Sequence, residues 1–303
     1  MNATADRILP AIALRLTSVA VFALMNVAIK LAEGRGAALG EIIFFRQFGA
    51  ALLIACVVGT GPGFASLRTQ RMNAHVLRAA VGLCAMALTF AALFALPLAE
   101  ATTIAFSMPI FATVMGALVL GEPTGWRRWA AVLTGFAGVM IVMQPGSAHF
   151  PLWGALCGLG AAFLTATVSI LLRTMGRSEK PITTVFWFST LSMVPLVPVY
   201  LLYAQPHEAA TWAILMAIGL LGGCAQMAMT YSLANAPVSV VVPMDYTSLI
   251  WATLLGWLVF DRLPAPATWI GAPIIIGSGL FIIWREHVRR REETRQAAGQ
   301  DFS

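Results

Sequence analysis

A few ionisable side chains stand inside apolar runs that are long enough to cross a bilayer, and an acid among them is the first candidate for chemistry. Asp245 lies about two turns inside the run that starts at Pro237. A charged group at the bilayer centre costs at least about 2.5 to 3.5 kcal/mol, so it requires a partner or a wet cavity. Asp245 is therefore predicted to bind a substrate amine or a coupling proton. The alternative is a structural pair with a basic or hydroxyl group on a neighbouring helix.

Arg46 is the basic counterpart, because a guanidinium can hold a substrate carboxylate through two parallel hydrogen bonds. Snorkelling to the outer interface and pairing with Glu41 or Glu100 are the alternatives, since an arginine stem reaches far. We expect Lys30 and Glu100 to be interfacial, and we keep Glu41, Glu100 and Lys30 as candidates for coupling or ion pairing. Arg15, nearer an end of its run, is expected to snorkel.

Amides and aromatic rings supply the remaining candidate ligands. Asn26 and Gln226 can orient a polar substrate, or they can bond across helices as structural contacts. Trp187 and Tyr246 are predicted to stack on a planar or cationic substrate in a cavity wall, although most aromatic residues of membrane proteins serve packing. With Arg46 and Asp245, these four residues make up the predicted substrate site.

Sequence motifs for other chemistries are missing. There is no Gly-x-x-x-x-Gly-Lys-Ser/Thr loop for ATP, no His-Glu-x-x-His and no Gly-x-Ser-x-Gly. The four cysteines stand alone in different apolar runs, without metal-ligand spacing. We therefore expect no metal, no cofactor and no enzyme activity. A membrane-embedded enzyme acting on lipid or quinone is the rival interpretation.

Composition predicts the elements that position these residues. Of 303 residues, 59% are hydrophobic and only 11% are charged, which is typical of a membrane protein. Because a crossing needs roughly 20 residues, the length suits about ten helices with short loops. The apolar segments lie near residues 8–31, 41–58, 75–96, 98–120, 126–143, 152–173, 182–203, 211–233, 237–260 and 268–284.

The distribution of basic residues predicts the orientation. Fourteen of the 19, Arg78 among them, fall on one side of ten alternating crossings, and only Lys30, Arg35 and Arg262 fall on the other. Basic residues concentrate on the cytoplasmic side, so both termini are predicted to be cytoplasmic, in a bacterial inner membrane. The net charge of +6 thus reflects lipid headgroups and topology, and no nucleic-acid partner is expected.

The two halves of the sequence resemble each other at an offset of about 140 residues, a period of the kind found in transporter repeats. Gly116 falls on Gly256, and Trp129 on Trp269. Each half has an odd number of crossings, so the second copy is inverted and alternating access is predicted. The fold prediction is an all-α membrane protein, with ten transmembrane helices in two inverted five-helix repeats around a central cavity. The predicted units are a first repeat at 1–144, a second at 145–285 and a charged cytoplasmic tail at 286–303.

Residues 96–144 resemble the signature helix pair of the EamA family, within the drug/metabolite transporter superfamily. Pro109 in mid-helix and Gly121-Glu122 after it fall where that family has them, and Arg46 is similar to the family's second-helix arginine. The second half resembles the same unit from Val242 onward, but Asp261-Arg262 replaces its glycine-glutamate pair. Five prolines are predicted to lie inside helices and to bend them, namely Pro109, Pro195, Pro198, Pro243 and Pro273.

The resemblance implies ten helices, a central cavity and transport of metabolites. Our leading prediction is a secondary transporter that exports an amino acid or amino-acid-derived compound, a metal chelator included, by alternating access. The alternative is an importer of a cofactor-like molecule such as a flavin or nucleoside-type compound. The expected partners are a small-molecule substrate, a coupling proton and membrane lipids, in a monomer or homodimer.

Overall fold

The computed structural model describes residues 5–61, 63–119, 125–144, 151–175, 178–235 and 241–300. These residues form helices and no strand. The α-helices are α1 Ala5–Gly34, α2 Leu39–Thr60, α3 Met72–Ala95, α4 Leu98–Ala105, α5 Met108–Val119, α6 Trp126–Met143, α7 Leu152–Met175, α8 Pro181–Tyr203, α9 Ala209–Asn235, α10 Ser248–Phe260 and α11 Pro266–Gln300. Short 3-10 helices cover Phe64–Leu67 and Val242–Thr247.

Each of the ten apolar segments predicted from the sequence is mostly helical where the structure describes it. Eight helical spans among the described residues are long and apolar enough to cross a membrane, and α4 and α5 together make one of them, Leu98–Leu118. The shorter α6 is apolar from Trp129 to Met143. The remaining segment consists of the 3-10 helix Val242–Thr247 and α10. The prediction of an all-helical, multi-pass membrane protein is confirmed.

Helix packing follows the pseudo-symmetry of two repeats. By their order along the chain, α1 of the first half corresponds to α7 of the second half, α2 corresponds to α8, and α3 corresponds to α9. Accordingly, α1 packs on α9 while α7 packs on α3, and α2 packs on α9 while α8 packs on α3. The contacts of α6 with α11 and of α4 with α10 join corresponding helices directly. A two-fold relation between inverted halves produces this exchange, because every contact made by one half recurs with the roles reversed.

The fourth helix of each half is interrupted. In the first half, α4 ends at Ala105 and α5 begins at Met108, directly before Pro109. In the second half, Pro243 lies in the 3-10 helix that precedes α10. Proline has no backbone N–H and disrupts the regular α-helical ladder, so breaks are present at Pro109 and Pro243. Such interruptions place non-helical backbone next to a protein-lined space. The other three prolines lie inside helices that continue without a break.

Glycines allow α2 and α9 to cross backbone to backbone. A Cβ atom on Gly49 would lie 2.6 Å from the Cα atom of Gly219, and one on Gly223 would lie 3.1 Å from the Cα atom of Ala50. Helices in lipid gain little from hydrophobic association, so close van der Waals packing of this kind has to hold them together. The Gly-x-x-x-Gly spacing at 219 and 223 therefore marks a true helix contact between the two halves.

The structure corrects one assignment made from the basic residues. Arg78 was counted with the cytoplasmic loops, but it lies inside α3 with only 6% of its surface exposed. The predicted tail at 286–303 is also a backbone continuation of α11 as far as Gln300. Gly121 and Glu122 lie outside the described residues, and the repeat boundaries remain a prediction.

Replacing Gly219 with alanine is expected to destabilise the protein by about 1–3 kcal/mol, because the new methyl group would meet the backbone of Gly49 at 2.8 Å. The matched control is Gly277→Ala in α11, where a Cβ atom meets nothing within 4 Å. That control should be neutral or slightly stabilising. Unfolding of the detergent-purified variants measures both, and equal stabilities would contradict the backbone crossing.

Candidate transport cavity

A cavity of about 310 Å³ lies between the two halves. Its walls come from α1, α3 and the α4–α5 break in the first half, and from α7, α9 and the stretch around Asp245 in the second. The lining is mostly apolar, with rings from Phe22, Phe106 and Tyr246. This volume is at the lower end of the roughly 300–1,000 Å³ of small-molecule sites. A wall shared by both repeats suits a transporter, because movement of one half against the other changes access.

A two-pronged ion pair spans the wall of the cavity. The Nε atom of Arg15 in α1 donates to Oδ1 of Asp245 at 2.6 Å, and the Nη2 atom donates to Oδ2 at 2.5 Å. Arg15 is buried, and the Asp245 side chain is one-third exposed. Arg15 therefore does not snorkel: a carboxylate within its reach offsets its charge more fully than a distant interface does. The structural pair weighed as an alternative for Asp245 is present.

Polar groups beside the ion pair have bonding capacity to spare. The Nη1 atom of Arg15 and the hydroxyl of Tyr246 are buried without a hydrogen-bond partner among the described residues. Asn26 also lines the cavity, about three turns further along α1 than Arg15. The rings of Phe106 and Tyr246 meet edge to face, with centroids 4.9 Å apart. A ligand would thus meet aromatic walls and a small set of donors and acceptors.

Comparison with known proteins places this architecture in a family. Residues 9–144 and 152–284 match the model of the EamA-like transporter family. The chain belongs to this EamA family. The two matched regions correspond to the two halves that pack with exchanged contacts, so the EamA resemblance of the sequence is confirmed.

Relatives of known function are membrane transporters. A riboflavin transporter of Vibrio cholerae is 35% identical over 75% of this chain and 77% of its own length. A riboflavin transporter of Rhizobium johnstonii is 32% identical over 89% of this chain and 90% of its own length. An S-adenosylmethionine uptake transporter of Rickettsia bellii is 27% identical over 81% of this chain and 84% of its own length. The protein is thus a membrane transporter of small metabolites, and its EamA relatives point away from an enzyme.

Two acids predicted as coupling candidates hold loops of this EamA chain in place. Glu41, fully buried, accepts hydrogen bonds from the backbone N–H of Ala38 at 2.8 Å and of Gln205 at 3.1 Å, and it contacts His207. Glu100 accepts from the backbone N–H of Ala265 at 2.8 Å. Each acid lies in the first turn of its helix and binds the loop before a helix of the other half. Structural roles explain both acids, whose part in coupling is still a prediction.

The other predicted site residues lie apart from the cavity wall. The ammonium of Lys30 is 3.8 Å from the carboxylate of Glu33 on the next turn. The indole N–H of Trp187 donates to the carbonyl of Leu67 at 3.0 Å, in the segment between α2 and α3. Because these side chains are engaged elsewhere, we give neither a place in the cavity. Their roles in binding or coupling stay untested predictions.

Arg46 and Gln226 meet each other outside the cavity lining, with the Nη2 atom of Arg46 donating to the Gln226 side-chain oxygen at 3.4 Å. Arg46 also donates to Gln47. Sequence reasoning missed Arg78, which approaches the same region from α3. A signal was available, since Arg78 lies within an apolar run, but its position near the end of that run suggested a loop instead.

Replacing Asp245 with asparagine is expected to destabilise the protein by about 2–3 kcal/mol. The charge of Arg15 is then left buried without compensation, and the cost is below the roughly 3–5 kcal/mol of a fully buried pair because Asp245 is partly exposed. Unfolding of the purified variant measures this loss.

Glu33→Gln is the matched control, since it breaks the looser contact with Lys30 and should cost less than about 1 kcal/mol. The double variant Arg15→Gln/Asp245→Asn should lose less stability than the sum of its single variants. Strict additivity would contradict the ion pair.

Proposed function

We propose that this EamA protein takes up a flavin of the riboflavin type across a bacterial inner membrane. The observation that carries the proposal is the cavity itself, which combines aromatic walls with a small number of polar groups. Riboflavin has a planar tricyclic ring with two carbonyls and an N–H on one edge, together with a flexible polyol chain. Such a ligand needs ring contacts first and a few placed hydrogen bonds second.

The cavity can meet both needs. The rings of Phe106 and Tyr246 offer faces and edges for offset or edge-to-face contact with the flavin ring. The amide of Asn26 matches the carbonyl and N–H edge, because it both donates and accepts. The spare N–H of Arg15 and the hydroxyl of Tyr246 would donate to carbonyl or polyol oxygens. Engaging these buried groups would also relieve the cost of leaving them without partners.

The names of the relatives support the same cargo. Two relatives at 35% and 32% identity are riboflavin transporters, and they match along most of this chain. Among our alternatives from the sequence, they favour the flavin importer over the exporter of amino acids. Uptake as the direction is supported by the name of the S-adenosylmethionine relative, which is an uptake transporter.

Alternating access is the mechanism we propose for the transport step. Bundles that combine helices of both repeats, such as the α2–α9 pair joined at the glycine crossing, would rock about the cavity, with both termini on the cytoplasmic side. The two interrupted helices border the cavity, so their breaks are natural places for local bending. The Arg15–Asp245 pair links α1 of the first repeat to the second repeat. Protonation of Asp245 or substrate contact with Arg15 would weaken that link and so favour one arrangement over the other.

Tyr246→Leu is expected to reduce riboflavin uptake into proteoliposomes at least tenfold, because the substitution removes both a ring contact and a hydroxyl. Each loss of about 1.4 kcal/mol in binding free energy lowers the affinity tenfold. Initial rates with labelled riboflavin at subsaturating concentration measure the effect. The matched control is Tyr203→Leu at the exposed end of α8, which should keep its rate. No riboflavin uptake by the wild-type protein would overturn the cargo, and equal rates in both variants would remove Tyr246 from the site.

Asn26→Ala is expected to weaken the binding of riboflavin, because the Asn26 amide is assigned to the carbonyl and N–H edge of the ring. The variant should weaken the binding of a flavin with an N-methylated edge less, since that edge is already blocked. Competition of the two compounds for uptake gives the comparison. Asn235→Ala is the control, because that exposed amide bonds only to the carbonyl of Tyr231 on its own helix among the described residues. An equal loss for both compounds would contradict the assignment.

An amino-acid-derived zwitterion is the second candidate cargo, and the Arg15–Asp245 pair favours it. If the pair opened, its guanidinium would match a carboxylate and its carboxylate an ammonium. The relative that takes up S-adenosylmethionine has a substrate with both groups. Uptake of labelled S-adenosylmethionine that riboflavin does not inhibit would replace the flavin proposal with this one.

A further inference from the structure

Two buried arginines approach one aromatic ring away from the transport cavity. The guanidinium carbon of Arg78 lies 4.0 Å from the ring centroid of Phe188, and that of Arg46 lies 5.9 Å from it. Only 6% and 5% of the two arginine surfaces are exposed. Arg46 is about two turns inside α2, and Arg78 is about two turns inside α3, so neither is at a helix end. Two like charges are therefore held together deep in the bundle.

Many donors around this ring have no acceptor. Among the described residues, no hydrogen-bond partner is present for Nε of Arg46, Nε and Nη1 of Arg78, or Nε2 of Gln47. The buried hydroxyls of Ser189 and Ser192 lack partners as well. Buried polar groups in native proteins are almost always satisfied, so a cluster of orphan donors indicates a missing acceptor. The acceptor must be negative, because the cluster contains two positive charges.

No carboxylate in the described part of the chain supplies that charge. Glu41 is bonded to His207, Asp245 to Arg15, and Glu179 to Thr69 with His75 nearby. Neither Arg46 nor Arg78 forms a salt bridge with a described acid. The negative π face of Phe188 attracts both guanidiniums, but a neutral ring does not cancel their charge. The cluster thus resembles a binding site whose ligand comes from outside the chain.

We propose that Arg46 and Arg78 form an oxyanion-binding subsite that takes a small phosphate or carboxylate group. Oxyanions offer several acceptor oxygens, which suit the forked donors of two guanidiniums better than a spherical halide does. The side chains of Gln47, Ser189 and Ser192 would complete the ligand shell. Arg46 was predicted from the sequence to bind a substrate carboxylate, and Arg78 is the partner that the fold adds.

The helices that carry the subsite give it a wider role. Arg46 and Gln47 belong to α2, Arg78 to α3, and Phe188 and both serines to α8. The first two helices are from the first half and the third is from the second, so a bound anion would tie the halves together. The site goes beyond the proposed flavin uptake, because a neutral flavin supplies no oxyanion. Its ligand would be a separate anion or an anionic cargo.

Binding of inorganic phosphate and of acetate to the purified full chain tests the proposal. The protein is held in a detergent without phosphate groups, at constant ionic strength with chloride as the reference anion. Labelled phosphate in equilibrium dialysis gives the dissociation constant, and tryptophan fluorescence during heating gives the shift in Tm. We expect one of the two oxyanions to bind saturably and raise Tm. Binding of phosphate alone indicates a phosphate group, and binding of acetate alone a carboxylate.

Arg78→Gln and Arg46→Gln are each expected to weaken that binding at least tenfold, and Arg78→Lys should weaken it less because it keeps the charge. The matched control is Arg127→Gln, since Arg127 also lies over a ring, that of Trp126 at 5.6 Å, but is exposed. The oxyanion should bind to this control variant as tightly as it binds to the wild-type protein.

Two outcomes would overturn the subsite, and the first of them does not depend on how well any variant folds. One is the absence of saturable binding of either oxyanion to the wild-type protein. The other is an equal loss of binding in Arg127→Gln and Arg78→Gln, which would indicate general surface charge. Riboflavin uptake is measured on the same preparations, so failure of the subsite and failure of the flavin proposal are separate results.

Discussion

The cost of placing charge in a low-dielectric interior governs this structure. Because a charged group in a bilayer needs a partner or water, every buried ionisable residue has to be explained by its surroundings. Arg15 and Asp245 satisfy one another across the two halves, and Glu41 and Glu100 satisfy loop backbones of the opposite half. Electrostatic need therefore joins the halves at the same points where motion between them would have to occur.

Inverted repeats convert these few contacts into a two-sided architecture. The exchanged helix pairs bury the glycine crossing between α2 and α9, while the two interrupted helices remain beside the cavity. Close glycine contacts make rigid bodies, and interrupted helices allow local change. The fold thus combines a tight joint between α2 and α9 with broken helices beside the cavity.

Two polar regions differ in how their charges are balanced. At the cavity, the charge of Arg15 is neutralised within the chain, so the cavity suits a largely neutral, aromatic ligand with a few polar contacts. Around Phe188, two positive charges have no described acid, so that region calls for an anion from elsewhere. If both proposals hold, one EamA bundle recognises two chemically different groups in separate places.

Hydropathy and the internal repeat by themselves predicted the ten helical segments and the two inverted halves, because a bilayer imposes helix length and every backbone group must bond within its helix. They also identified Asp245 and Tyr246 as residues of interest. The family came from the resemblance of residues 96–144 to a known helix pair. Only the tertiary structure decided that Arg15 is the partner of Asp245, that Trp187 is engaged with Leu67, and that Arg78 is buried. The reason is physical: ion pairs join residues as far apart in the chain as 15 and 245, and single-sequence patterns carry no record of which helix faces which.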